Sequence, residues 1–89
     1  MKKFFQMTDA NEDTYVIVAN DLEHAKDVIR KSGVEFGYPS KPFDQAVGLE
    51  WSEMTDDQVA RRTRIHTEDE RGTIPLKQCN IGEWFCNEF

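Results

Sequence analysis

The apolar pattern changes period twice in the first third of the chain. Residues 3–7 (KFFQM) are short and aromatic and read as a strand. Residues 8–13 (TDANED) are polar and turn-rich, and residues 14–19 (TYVIVA) are β-branched and aromatic, the composition that fits a pleated surface. Two strands joined by six polar residues predict an antiparallel hairpin. From residue 20 the period becomes helical. Leu22, Ala25, Val28 and Ile29 share one face of a helix over residues 20–32. Asn20 is the expected N-cap, with Glu23 three residues on to complete a capping box. Asp21 and Glu23 suit the positive end of the dipole, and Arg30 and Lys31 the negative end. Gly33 follows as a left-handed stop. Asp27 can pair with Lys31 on the wet side, and His24, about 160° round the helix from Leu22, is expected in water. A helix this short is marginal alone, so a sheet must cover its apolar stripe.

Beyond the helix the pattern is more broken. Residues 34–36 suit a short strand or extended exit, and residues 37–42 (GYPSKP) a loop, because two prolines and a glycine oppose regular structure. Residues 46–51 alternate, with Val47, Leu49 and Trp51 on one side and Gly48 and Glu50 on the other, which predicts a third strand. Residues 55–61 predict a short helix: Thr55 and Gln58 make a second capping box, and Met54 and Val59 have the spacing of a hydrophobic staple. Residues 62–67 alternate again, with Arg62, Arg64 and His66 on one face. Residues 68–72 form a charged turn, and residues 73–77 a returning strand that Pro75 restricts to an edge. The aromatic C-terminus (IGEWFCNEF) should pack down on the rest. The sum is one α+β domain over residues 1–89: a β-β-α opening, an antiparallel sheet of four or five strands, the main helix on one face and a short second helix.

Composition sharpens this. Hydrophobic residues make up 38% and charged residues 31%, yet six Phe, two Trp and two Tyr supply the large side chains a small core needs. Disorder is therefore not expected over most of the chain. Seventeen acidic against eleven basic residues give a net charge of −6, which opposes non-specific binding to nucleic acid or to an anionic membrane and suits either a basic protein partner or, as is commoner, solubility alone. No apolar run follows Lys2-Lys3, so neither a signal peptide nor a membrane span is expected, and the setting is read as cytoplasmic. Cys79 and Cys86 are then free thiols.

Candidate chemistry is sparse. His24, His66, Cys79 and Cys86 are the right kinds of ligand for zinc. Their spacing opposes it, because the cysteines are seven apart and each histidine is isolated. A thiol site built on His66 with either cysteine lacks any flanking motif for nucleophilic catalysis. No cofactor and no catalytic residue are assigned, and the chain is read as non-enzymatic. Arg61, Arg62, Arg64 and Arg71 form a basic cluster able to bind phosphate or to pair with Glu68, Asp69 and Glu70 across their turn. Tyr38, Trp51, Trp84 and Phe85 are candidate aromatic anchors.

The short first strand, the TYVIVA strand and the direct passage into DLEHAKDVI resemble small accessory proteins of bacteriophages and mobile elements of the anti-CRISPR type. The resemblance covers the first third of the chain and carries no functional residues across. It implies a non-enzymatic module that binds and inhibits a host protein, of defence or of nucleic-acid handling, often through carboxylates. The expected partner-binding set is Asp9, Glu12, Asp13, Glu68, Asp69 and Glu70, with Arg62 and Arg64. The alternatives are the zinc or thiol site of His66, Cys79 and Cys86, and a nucleic-acid-associated protein using the arginine face.

Overall fold

The structure is a computed structural model that describes residues 2–37, 39–61, 63–65 and 73–87. Its centre is the expected hairpin. Strand β1 (Lys3–Thr8) pairs antiparallel with β2 (Thr14–Ala19), from Lys3 opposite Ala19 to Thr8 opposite Thr14. Helix α1 (Leu22–Ser32) follows directly and ends at Gly33, whose φ of 76° is the left-handed value expected of it. Two short strands, β3 (Glu35–Phe36) and β4 (Lys41–Pro42), form a small hairpin of their own. Of the two prolines read from sequence as a loop, Pro39 lies in the turn and Pro42 in β4, opposite Glu35.

Strand β5 (Glu50–Glu53) pairs with the free side of β1, and α2 (Asp56–Arg61) follows. Strands β6 (Thr63–Ile65) and β7 (Thr73–Pro75) pair only with each other. Strand β8 (Trp84–Asn87) pairs with β2, closing a four-stranded antiparallel sheet in the order β5-β1-β2-β8. This is the α+β fold of the sequence reading. Among the described residues, no helix is long and apolar enough to cross a membrane.

Period-two alternation through β1 and β2 gives the sheet two apolar faces. On the first, Phe5, Met7, Tyr15, Ile17 and Ala19 pack against Ala25 and Ile29 of α1 and against Phe36. Tyr15, Phe36, Phe43 and Trp51 continue as a run of edge-on ring contacts at 5.4, 6.4 and 6.2 Å. On the second face, Phe4, Val16 and Val18 pack with Met54, Val59, Leu76 and Cys79. The Leu76–Gln78 turn and α2 cover this side, so both faces are core, where the sequence predicted one.

Four local expectations are corrected and a fifth is sharpened. The N-cap of α1 is Asp21, not Asn20: the Asp21 carboxylate accepts from His24 N–H at 2.8 Å, and His24 Nδ1 accepts from Asn20 N–H at 3.1 Å. His24 is thereby half-buried rather than solvated. Leu22, on the same face as Ile29 but at the very start of the helix, is exposed. The third strand starts at Glu50 rather than residue 46, because Gly48 turns left-handed (φ 77°) and breaks the alternation. The C-terminal aromatics form a sheet strand, since the outer side of β2 offers a ladder for them to complete.

The second capping box is as expected. Gln58 N–H donates to Thr55 Oγ1 at 3.2 Å, and Thr55 N–H to Gln58 Oε1 at 2.9 Å. Met54 and Val59 are both buried in the second core, as the staple spacing predicts.

Candidate functional site

The turn between β1 and β2 is built around one carboxylate. Asp9 Oδ1 accepts from the backbone N–H of Asn11 and of Asp13, both at 2.9 Å. Backbone bonds from Asp9 N–H to Asp13 O (3.0 Å) and from Glu12 N–H to Asp9 O (3.1 Å) close the loop. Asp9 is only 6% exposed, so it organises the turn and does not present its charge. That removes it from the predicted contact set. Of its neighbours, Glu12 is exposed, at a left-handed φ of 67°, and Asp13 is half-buried. Glu12 is the one non-glycine with positive φ among the described residues. Such a conformation persists only where the surroundings impose it, and here the Asp9 bonds do so.

A second loop lies against this turn. A Cβ built on Gly48 would stand 3.4 Å from the Ala10 Cβ, so the loop before β5 touches the turn closely. Val47, one residue earlier, is 79% exposed. Sequence alternation had placed it with Leu49 and Trp51 toward the core; the left-handed Gly48 between them turns it outward. Val47 lines a notch of about 200 Å³ together with Asp9, Ala10, Phe36, Gly37, Pro39, Lys41 and Ala46. Glu50, exposed and opposite Thr8 in the sheet, stands at the same end. An exposed apolar side chain beside a mainly apolar notch, with Lys41 on its wall and Glu12 in the adjoining turn, has the anatomy of a protein interface.

A larger groove of about 380 Å³ lies at the other end of β1, lined by Lys2, Lys3, Phe4, Met54, Val59 and Lys77 among others. Two of its ammonium groups, those of Lys2 and Lys3, serve the fold. Lys2 Nζ donates to the carbonyls of Lys77 (2.6 Å) and Cys79 (3.0 Å) and lies 5.7 Å from the Phe4 ring centroid. Lys3 pairs loosely with Glu53 at 3.8 Å. The outer face of α1 is also self-paired. Asp27 meets Lys31 (2.9 Å, as expected) and Arg30 (3.1 Å), and Arg30 reaches Asp44 at 2.9 Å while lying over the Phe43 ring. The Lys31 hydrogen bond and charge, followed by those of Arg30, hold the Asp27 carboxyl below its ordinary range. The bond to Asp44 is the main cause of the upward shift of Arg30.

The remaining predicted residues divide in two. Arg62, His66, Glu68, Asp69 and Glu70, and also Tyr38 and Arg71, lie outside the described residues. Arg64 is described in its backbone alone, in β6 opposite Ile74. For the zinc or thiol alternative, the fold keeps the two cysteines apart: Cys79 is buried in the second core, and Cys86 packs against the first, on the other face of the sheet. Among the described residues, no three His, Cys, Asp or Glu side chains gather to hold a metal. Of the aromatic anchors, Trp51, Trp84 and Phe85 are each half-buried against a core.

The chain matches no family model, no curated protein and no solved structure. The functional reading therefore rests on the surface itself. Sequence reasoning expected all three acids of this turn on the surface, and of them Glu12 is exposed, Asp13 half-buried and Asp9 buried. It missed Val47, and the signal that could have found it was Gly48, where a strand alternation meets a residue free to reverse the chain.

Proposed function

We propose that this chain is a non-enzymatic protein-binding module. It engages a basic protein surface through the sheet end formed by Glu12, Asp13 and Val47. The observation that carries the reading is Val47, 79% exposed at the mouth of the notch and next to the turn that Asp9 holds rigid. Burying such a side chain at a contact is favourable, and a turn already fixed loses little freedom on binding. The carboxylates around it steer an oppositely charged partner and raise its association rate. The resemblance to anti-CRISPR-type accessory proteins extends the proposal to a phage-type inhibitor of a host protein, one of defence or of nucleic-acid handling, in a bacterial cytoplasm.

The test is capture of a partner from bacterial lysate, followed by a binding assay with wild type and a Glu12→Lys, Asp13→Lys, Val47→Asp triple variant. Binding is expected to be lost while the melting temperature stays within a few degrees, because substitutions at the exposed Glu12 and Val47 shift stability by about 0.5 kcal/mol or less each and the half-buried Asp13 by little more. Association of wild type is expected to slow as salt rises. Equal binding by both proteins, with no salt dependence, would sink this reading.

A further inference from the structure

Strand β5 forms one edge of the four-stranded sheet, and its hydrogen-bond phase can be read from a single bond. Met54 N–H donates to Phe4 O at 2.8 Å, one register step beyond the pairing of Glu53 with Phe5. In an antiparallel ladder, bonded and non-bonded pairs alternate. The bonded pairs are therefore Gln6 with Ser52 and Thr8 with Glu50. The intervening residues, Trp51 and Glu53, turn their N–H and C=O away from β1, toward the side on which no described strand pairs with β5. No backbone bond among the described residues meets them there. Glu50, Ser52 and Glu53 are exposed and Trp51 is half-buried. An edge of this kind is a template for another strand.

We propose that the β5 edge is a strand-addition site for an extended basic segment of the partner protein. The inference rests on the binding-module reading above and names how the partner is held. Charge selects the occupant. Glu50 and Glu53 lie three apart on the strand and so project from opposite faces of the sheet, which asks for Lys or Arg at the same spacing in the added strand. A second copy of the chain is the wrong partner: each carries a net charge of −6, and pairing would bring Glu50 and Glu53 of both onto one short edge. The Trp51 ring, seated edge-on against Phe43 at 6.2 Å, offers a fixed apolar wall beside the added strand. Val47 and the Asp9-centred turn lie just beyond the Glu50 end, so one extended segment can reach the notch and the edge together. Main-chain bonds then hold the segment, and its side chains select it.

The probe is a capped nine-residue peptide repeating lysine, valine and threonine, which places lysines three apart. On titration into the ¹⁵N-labelled protein, the Trp51 and Glu53 amides are expected to gain protection from exchange. The same peptide N-methylated at alternate residues keeps its charge and is expected to bind about tenfold more weakly or worse, as the loss of bridging hydrogen bonds implies. Glu53→Pro removes an outward N–H that β1 does not use, so it is expected to weaken binding well beyond Glu53→Gln, which removes only the charge. Equal binding by the methylated peptide, absence of protection at Trp51 and Glu53, or no binding at all would each overturn strand addition. None of these touches the broader reading, which stands or falls on the Glu12, Asp13 and Val47 variant with the captured partner.

Discussion

Tyr15 shows how a residue identified from sequence as strand-forming takes on a further property from its neighbours. Its ring is 8% exposed and meets Phe36 edge-on at 5.4 Å. Burial pushes its phenol up to about 12, with the Cys86 thiol opposite it in β8 and the Asp9 and Asp13 carboxylates adding in the same direction. The folded state thus holds the phenol proton more tightly than the unfolded chain does. Stability from this residue is fully present below pH about 10 and falls as the unfolded phenol ionises first, up to the folded value near 12. Denaturant melts at pH 9 and pH 11 should show a loss in wild type that is smaller in Tyr15→Phe. An identical loss in both would show that the ionisation of Tyr15 does not contribute. The carboxylate that raises this pKa from the turn, Asp9, was legible as a turn residue, but not as the buried one among three acids in a row of five. Which member of such a group folds inward depends on where the two backbone N–H groups point.

At the scale of elements, α1 follows from its sequence except for one residue of phase. ANDLEHAKDVIRKSG holds two adjacent N-cap candidates, Asn20 and Asp21, with similar preferences. The strand decides between them. β2 runs to Ala19, and Asn20 spends its N–H on the His24 ring, so the first turn forms one residue later, on Asp21. Asp21→Ala is expected to cost about 1 kcal/mol, and Asn20→Ala clearly less, because only the first removes the side-chain cap. Equal losses in chemical denaturation would return the cap to Asn20. In α2 the sequence had no such ambiguity, since a single Thr and Gln pair flanked the start, and both hydrogen bonds of the box are present.

Across the whole molecule the sheet is covered twice. Ile29 and Leu76 are both fully buried, one in each core. Ile29→Ala and Leu76→Ala should each cost about 2–5 kcal/mol, by lost transfer energy and the space left behind. Val28→Ala should cost less than Ile29→Ala, since Val28 is only partly buried against the first core. A near-neutral Leu76→Ala in urea melts would mean that the second face is not a true core. The helix stripe announces the first core by its periodicity. The second is assembled from Phe4, Met54, Val59, Leu76 and Cys79, which are scattered through a strand, a loop, a helix and a turn and share no local period.

The sequence by itself determined the elements whose signals are local: the β1–β2 hairpin from its alternating apolar strands, α1 and its glycine stop from a 3.6-residue stripe, and the Thr55 box from side chains within one turn. It also placed Glu12 on the surface, where a turn leaves charge in water. Only the tertiary structure decided that the C-terminal aromatics would complete the sheet on β2, that Asp9 would be buried, that Val47 would point outward and that the main chain of Trp51 and Glu53 would face an open edge. Each of these depends on which strand lies beside which. Pairing across more than sixty residues between β2 and β8 is settled by the total of backbone bonds and buried area, a quantity that no window of the sequence contains.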